Sequence, residues 1–136
     1  MSQKKFIIDF DSTFIKVETL DVLAQVSLSD DPEFQDKINK IKGITDICMN
    51  GGMSFKESLS SRLSLLNAHK SHFPKLISEL KKQVSKSVIS NIDFFMENRE
   101  NIYIISSGFK ICITPVVEEF GVKTSHVFAN DFHFDK

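Results

Sequence analysis

Lys5-Phe6-Ile7-Ile8-Asp9-Phe10-Asp11-Ser12-Thr13 begins as an apolar, β-prone run, Phe6 to Ile8, and ends abruptly in two carboxylates one residue apart, followed by two hydroxyls. An apolar run bounded by polar residues reads as a buried strand of a parallel sheet. In open α/β sheets, ligands and chemistry sit beyond the carboxyl ends of the strands, which is where Asp9 and Asp11 fall. Side chains alternate along extended chain, so the two carboxylates are expected on one side with Phe10 turned from them.

The spacing has a chemical use. Two neighbouring carboxylates repel, and a bare pair raises one pKa. A divalent cation relieves the repulsion, and Mg²⁺ favours carboxylate oxygens and retained waters. One carboxylate can then attack phosphorus and form an aspartyl-phosphate. The other can protonate the leaving oxygen and later activate water. The plainer alternative is a strand end with two solvated acids entering a turn.

The 136 residues amount to one domain. With 41% hydrophobic and 26% charged residues, the composition is that of an ordinary globular chain. A net charge of -1 leaves no basic footprint for nucleic acid or an acidic membrane surface, so neither partner is expected. Thirteen Phe and no Trp predict a core rich in Phe, Ile and Leu. Cys48 and Cys112 lie far apart without metal-ligand spacing and read as buried free thiols. No apolar run approaches a membrane span, and no signal peptide is visible at the start. A reducing cytoplasm fits these features.

Beyond Thr13, Ile15, Thr19, Leu20, Leu23 and Val26 recur at helical spacing, with Glu18 near the helix start. Ser29 to Pro32 reads as a turn before another helix, which carries Phe34, Ile38 and Ile41 and is interrupted at Gly43. Gly51-Gly52 breaks the chain. Met53 to Leu66 reads as a helix capped by Ser54 with Glu57 completing a capping box; Phe55, Leu59, Leu63 and Leu66 share a face, and Arg62 sits beside it. Asn67 to Pro74 reads as a polar connector and Lys75 to Asn98 as continuous helix. Ile102 to Ile105 is a second strand ending abruptly at Ser106-Ser107-Gly108. A helix over Phe109 to Phe120, Gly121 as its C-cap and a third strand over Ser125 to Asn130 complete the order. A long helical insert directly after the first strand looks like a cap over the strand ends, where it can exclude water.

Ser106-Ser107-Gly108 suits a phosphate oxygen: a hydroxyl donates, and a helix N-terminus adds free N–H groups and a favourable dipole. Alternatively, a serine there only caps the helix. Taken together, these segments resemble the phosphoserine phosphatase family of the haloacid dehalogenase-like superfamily. Asp9-Phe10-Asp11-Ser12-Thr13 with Glu18-Thr19 looks like its first motif, Met49 to Leu66 like its cap helix, Ile104 to Phe109 like its second motif, and Val127-Phe128-Ala129-Asn130 like the segment that follows.

The resemblance implies an α/β fold: a Rossmannoid parallel sheet, here incomplete, with a helical cap inserted after the first strand. The core would be residues 1–14 and 87–136, and the cap 15–86. It implies Mg²⁺-dependent hydrolysis of O-phospho-L-serine, a step of L-serine biosynthesis. Asp9 would be nucleophile and metal ligand. Asp11 would be the general acid/base, with its backbone carbonyl on the metal. Ser106, with Ser107 and Gly108, would hold the phosphate. Glu18 would meet the substrate ammonium and Arg62 its carboxylate, while Met49 and Phe55 would wall the pocket. Guanidinium suits carboxylate and carboxylate suits ammonium, so both ends of an amino acid would be read. Without the resemblance, Glu18 and Arg62 would read as solvated charges, and Met49 and Phe55 as cap core.

Two departures follow. The family has glycine where this chain has Ser107, whose Cβ would constrain the backbone if φ were positive. The family's third motif, a lysine, and its fourth, an Asp-containing metal loop, lie downstream of the Phe-Ala-Asn segment. Lys110, Lys123 and Lys136 do not stand at the matching place, and Asp131 and Asp135 do not form that loop. The sheet is therefore expected to leave the first strand at an edge, inviting a homodimer through that edge. The corresponding alternative is a chain that folds and binds a phosphorylated amino acid without turnover.

Overall fold

Strands β1 (Phe6–Ile8), β2 (Ile102–Phe109) and β3 (Val127–Asn130) form one parallel sheet in the order β1-β2-β3. The structure is a computed structural model and describes residues 4–132; Asp135 and Lys136, weighed above, lie outside the described residues. Phe6 pairs with Ile102, Ile7 with Tyr103 and Ile8 with Ile104, while Ile104 and Ile105 pair with Val127 and Phe128. Six helices separate β1 from β2: α1 (Thr19–Ser27), α2 (Phe34–Met49), α3 (Phe55–Leu66), α4 (Phe73–Lys81), α5 (Lys86–Ser90) and α6 (Ile92–Glu97). Helix α7 (Lys110–Val117) joins β2 to β3.

Strand alternation divides the sheet into two unlike faces. Ile102, Ile104 and Val127 are buried on the face where α7 packs, along with Cys112, Ile113, Val116 and Val117. Ile7, Ile105 and Phe128 point the other way and are exposed, and with Lys5 and Tyr103 they line a shallow apolar hollow. Parallel sheets usually have both faces covered. Among the described residues, β1 stands at the sheet edge, and Ile7 is 67% exposed.

The insert is tied back to the exit of β1. Ile15 bridges Val84, Lys16 N–H donates to Gln83 O at 2.8 Å, and Ser85 N–H donates to Phe14 O at 2.9 Å. Phe10 and Phe14 are fully buried beneath this neck. The Phe14 ring meets Phe10, Phe95 and Phe120 at centroid distances of 5.9, 5.7 and 5.3 Å.

Local structure departs from the sequence reading in several places. Ile15 is in the neck rather than in α1, because Phe10–Phe14 forms a tight helical turn first. Helix α2 runs unbroken through Gly43, whose missing side chain faces open space. The connector before α4 ends earlier, since Phe73 is buried and Pro74 occupies the first turn, where its missing N–H costs nothing. The expected continuous helix from Lys75 to Asn98 is three helices, because Val84 leaves the helical path to meet Ile15. Ser54 does cap α3, its hydroxyl accepting from Glu57 N–H at 3.1 Å. Strand β2 continues through Ser106-Ser107-Gly108 to Phe109, with an irregular register against β3 between Ile105 and Phe109. Strand β3 begins only at Val127, after a short 3₁₀ turn over Thr124–His126.

Phe14→Ala, which empties the centre of the ring cluster, is expected to cost about 3–5 kcal/mol. A urea titration followed by circular dichroism would show this as a lowered midpoint at unchanged slope.

Candidate active site

Asp9 is the last residue before the chain turns out of β1, and its Oδ1 accepts from the Phe10 N–H at 2.8 Å. Oδ2 remains unpaired among the described residues. Extended geometry stops here: Asp11 has φ -62 and ψ 135, and Ser12 is left-handed at φ 57. The two carboxylates are therefore presented by a turn rather than by strand alternation. Buried Phe10 still points inward between them, as the sequence suggested.

Asp11 is half-buried. Its Oδ1 accepts from both the N–H and the hydroxyl of Thr19, at 3.1 and 2.5 Å, at the start of α1. Burial pushes its pKa up from 3.8 to about 6, the Thr19 hydrogen bonds oppose the rise, and Glu18 and Asp9 add to it. A carboxyl poised there can give a proton near neutral pH and take one back. The free oxygen, Oδ2, looks toward β2. A Cβ built on Gly108 would lie 3.8 Å from it and 3.2 Å from Ser106 Oγ, so a glycine lets the two strand ends approach.

Ser106 Oγ accepts from the Gly108 N–H at 2.9 Å, which leaves its own proton free to donate. The Ser107 carbonyl accepts from the Asn130 side chain at 2.9 Å, joining the ends of β2 and β3. Ser107 does not have positive φ, so its Cβ imposes no backbone strain. Phe109, not a serine, occupies the N-cap of α7, so the helix starts one residue after the expected place and the alternative of a serine cap does not hold.

From the insert, Glu18 stands at the N-cap of α1 and its Oε1 accepts from the Ser12 hydroxyl at 2.7 Å. Arg62 on α3 is only 9% exposed. Asp11, Glu18, Thr19, Phe55, Arg62, Ser107 and Gly108 line one cavity of about 50 Å³, with Leu20, Leu59 and Phe109. Asp9 and Ser106 adjoin it through Asp11 and Gly108. Met49 does not belong to the lining: at 81% exposure, it ends α2 just before the Asn50-Gly51-Gly52 turn carries the chain away. A groove of about 660 Å³ opens on the other side of Glu18, lined partly by Ser12, Asp21, Lys42 and Lys75. Asp11 and Arg62 line the smaller cavity and not this groove, while Glu18 borders both. Ligand pockets usually measure about 300–1,000 Å³, so this cavity is small for a ligand site.

Sequence reading missed Ser12, Thr19, Asp21 and Thr45. The hydroxyls of Ser12 and Thr19 flank Asp11 and Glu18 and could have been suspected from proximity. Asp21 is raised by burial and by Glu18, and opposed by Lys42 and Arg62. Its position, and that of Thr45, depend on helix packing that no local pattern reports.

Asp9 and Asp11 supply the hard oxygen donors that Mg²⁺ prefers, and Mg²⁺ is commonly held by one or two carboxylates with waters and substrate phosphate. Among the described residues, no cluster of three or more His, Cys, Asp or Glu side chains could hold a metal. The Asp9 carboxylate with the Asp11 backbone carbonyl would thus fit Mg²⁺ as a partial ligand set.

No protein-family model matches the chain. It is 31% identical over 127 residues to the phosphoserine phosphatase of Drosophila melanogaster, covering 93% of this chain and 44% of that protein. Among solved structures, a phosphoserine phosphohydrolase-like protein from Francisella tularensis superposes with a TM-score of 0.80 at 25% identity, covering 98% of this chain and 61% of that one. A phospho-aspartyl intermediate analogue of phosphoserine phosphatase superposes with a TM-score of 0.74 at 27% identity, covering 98% of this chain and 59% of that one. The chain spans about half the length of the relatives it matches.

In the metal-free protein, the Asp11 side-chain carbon resonance is expected to titrate near pH 6, and Thr19→Val should move the midpoint higher. Folded Asp11 holds its proton more tightly than the unfolded chain does. Its contribution to stability is therefore greatest below pH 3.8 and is lost as pH rises to about 6. Asp11→Asn should flatten that loss in urea titrations across the window.

Proposed function

The chain belongs to the phosphoserine phosphatase family of the haloacid dehalogenase-like superfamily, and on that premise we propose that it serves Mg²⁺-dependent hydrolysis of O-phospho-L-serine to L-serine and phosphate. The observation that carries this reading is the single cavity that joins Asp11 and the Ser107-Gly108 loop to Glu18 and Arg62 of the insert. One end of that set suits a phosphoryl group and the other an amino acid's charged ends.

In this proposal, the free Oδ2 of Asp9 attacks phosphorus while Oδ1 is held by the Phe10 N–H. The phosphorus–oxygen ester bond breaks, and Asp11 gives its proton to the departing serine oxygen. Asp11, now ionised, takes a proton from the water that attacks the aspartyl-phosphate, which releases phosphate and restores Asp9. The Ser106 hydroxyl and the Ser107-Gly108 backbone hold phosphate oxygens. Glu18 takes the ammonium and Arg62 the carboxylate, with Phe55 closing the apolar side. Mg²⁺, when bound by Asp9 and Asp11, neutralises charge on the transferring group. Closure of the insert excludes bulk water.

Other parts of the reading are proposals too. The division into a core at 1–14 and 87–136 and a cap at 15–86 is supported by the Ile15–Val84 bridge at the neck. A cytoplasmic setting and a role in L-serine biosynthesis are part of the proposal, supported by the free cysteines and the family. A second reading, binding without turnover, is favoured by one observation: among the described residues, Arg62 is the only cation lining the cavity. A phosphoryl transition state normally needs more positive charge than that.

A homodimer through the β1 edge also belongs to the proposal. The edge is unpaired among the described residues, Ile7 is exposed beside it, and a net charge of -1 offers little repulsion. Two copies related by a two-fold axis would pair β1 antiparallel. Their carboxyl ends would then point in opposite directions, so neither copy would supply groups to the other's site.

Phosphate release from O-phospho-L-serine should require Mg²⁺ and fall more than about a thousandfold in Asp9→Asn. Ligand binding by calorimetry without release above the mutant would establish the second reading instead. For self-association, light scattering should show a dimer that Ile7→Lys converts to monomer; a monomeric parent chain would refute the edge contact.

A further inference from the structure

We infer that Thr45 is a positioning residue for Arg62, fixing the guanidinium so that the site prefers ligands carrying a carboxylate. This rests on the reading of Arg62 proposed above and extends it to a residue that does not line the cavity.

Arg62 is a buried cation without an ion pair among the described residues. Burying a guanidinium without a counter-charge is unfavourable unless its N–H groups are engaged. Two of them are. Nε donates to the Ser58 carbonyl of its own helix at 3.3 Å, and Nη1 donates to Thr45 Oγ1 on α2 at 3.4 Å. The direction of the second bond is fixed by the rest of the hydroxyl. Thr45 Oγ1 donates its one proton to the Ile41 carbonyl at 3.0 Å, so only its lone pairs face Arg62.

The guanidinium is thereby held from two helices, and its Nη2 end is left unpaired among the described residues. A planar fork pinned at one edge can receive a carboxylate at the other. Both bonds are long, as is common before a ligand draws such a site together. Asp21 on α1 feels the Arg62 charge without forming an ion pair with it, and among the described residues no carboxylate pairs with Arg62. Val at position 45 keeps the shape and removes the acceptor. Ser keeps the acceptor.

The test is calorimetry in the Asp9→Asn background, so that ligand is not consumed, comparing O-phospho-L-serine with O-phosphoethanolamine, which lacks only the carboxylate. The parent should prefer O-phospho-L-serine. Thr45→Val should cut that preference about tenfold or more, the scale of one hydrogen bond to a charged group, while leaving O-phosphoethanolamine affinity unchanged as evidence of an intact site. Thr45→Ser should restore the preference, and Thr45→Ala serves in place of Val if the latter does not fold. A preference kept in both Val and Ala variants overturns the role of Thr45 and leaves that of Arg62 standing. A parent that shows no preference, or binds neither ligand, overturns the reading of Arg62 and this inference with it.

Discussion

The neck at the end of β1 is the constraint on which the rest of the molecule depends. Phe10 and Phe14 are fully buried, and Ile15 bridges Val84 directly above them. Burying two aromatic side chains within five residues forces the chain into a tight turn, and the residues between them have to face outward. That is why Asp9 and Asp11 emerge together beyond β1. The same turn brings Ser85 onto the Phe14 carbonyl, so the helical insert begins and ends at one point. The insert also rests on the sheet side through α4, which packs against α7 and pairs Lys81 with Glu119.

From that neck, charge is arranged in two layers. The sheet side offers carboxylates and short hydroxyls at the ends of β1 and β2. The insert offers Glu18 at the start of α1 and Arg62 from α3. The cavity between them is small, about 50 Å³, and each layer carries an electrostatic cost. Asp11 is buried enough for its pKa to reach about 6, and Arg62 is buried without a counter-ion among the described residues. Such costs are typical of sites prepared for a ligand that brings the missing charges.

Much of this was legible in the sequence because the signals are local. The Phe6-Ile7-Ile8 run followed by two acids gave the strand and the place of the acids at its end. Ser54 and Glu57 marked the start of α3, and the four-residue spacing of Leu76 and Leu80 marked α4. The failures were equally physical. Gly43 did not break α2, because an exposed glycine costs a helix only about 1 kcal/mol and neighbouring turns outweigh it. The stretch from Lys75 to Asn98 was not one helix, because Val84 is claimed by a contact with Ile15, far away in sequence. Met49 was expected at the pocket wall, but its place at the end of α2 turns it to solvent.

The sequence by itself determined most element types and the place of two acids at the carboxyl end of β1, and its motifs carried the resemblance to the family. These depend on residue order and on periods of two and 3.6 that each segment carries alone. Only the tertiary structure decided that the carboxylates sit on a turn rather than a strand, that Ser12 and Thr19 hold Glu18 and Asp11, and that Thr45 meets Arg62. Periodicity says which side of a helix is buried. It does not say which other helix meets that side, because that is set by the neck contact between distant residues and by the packing it allows.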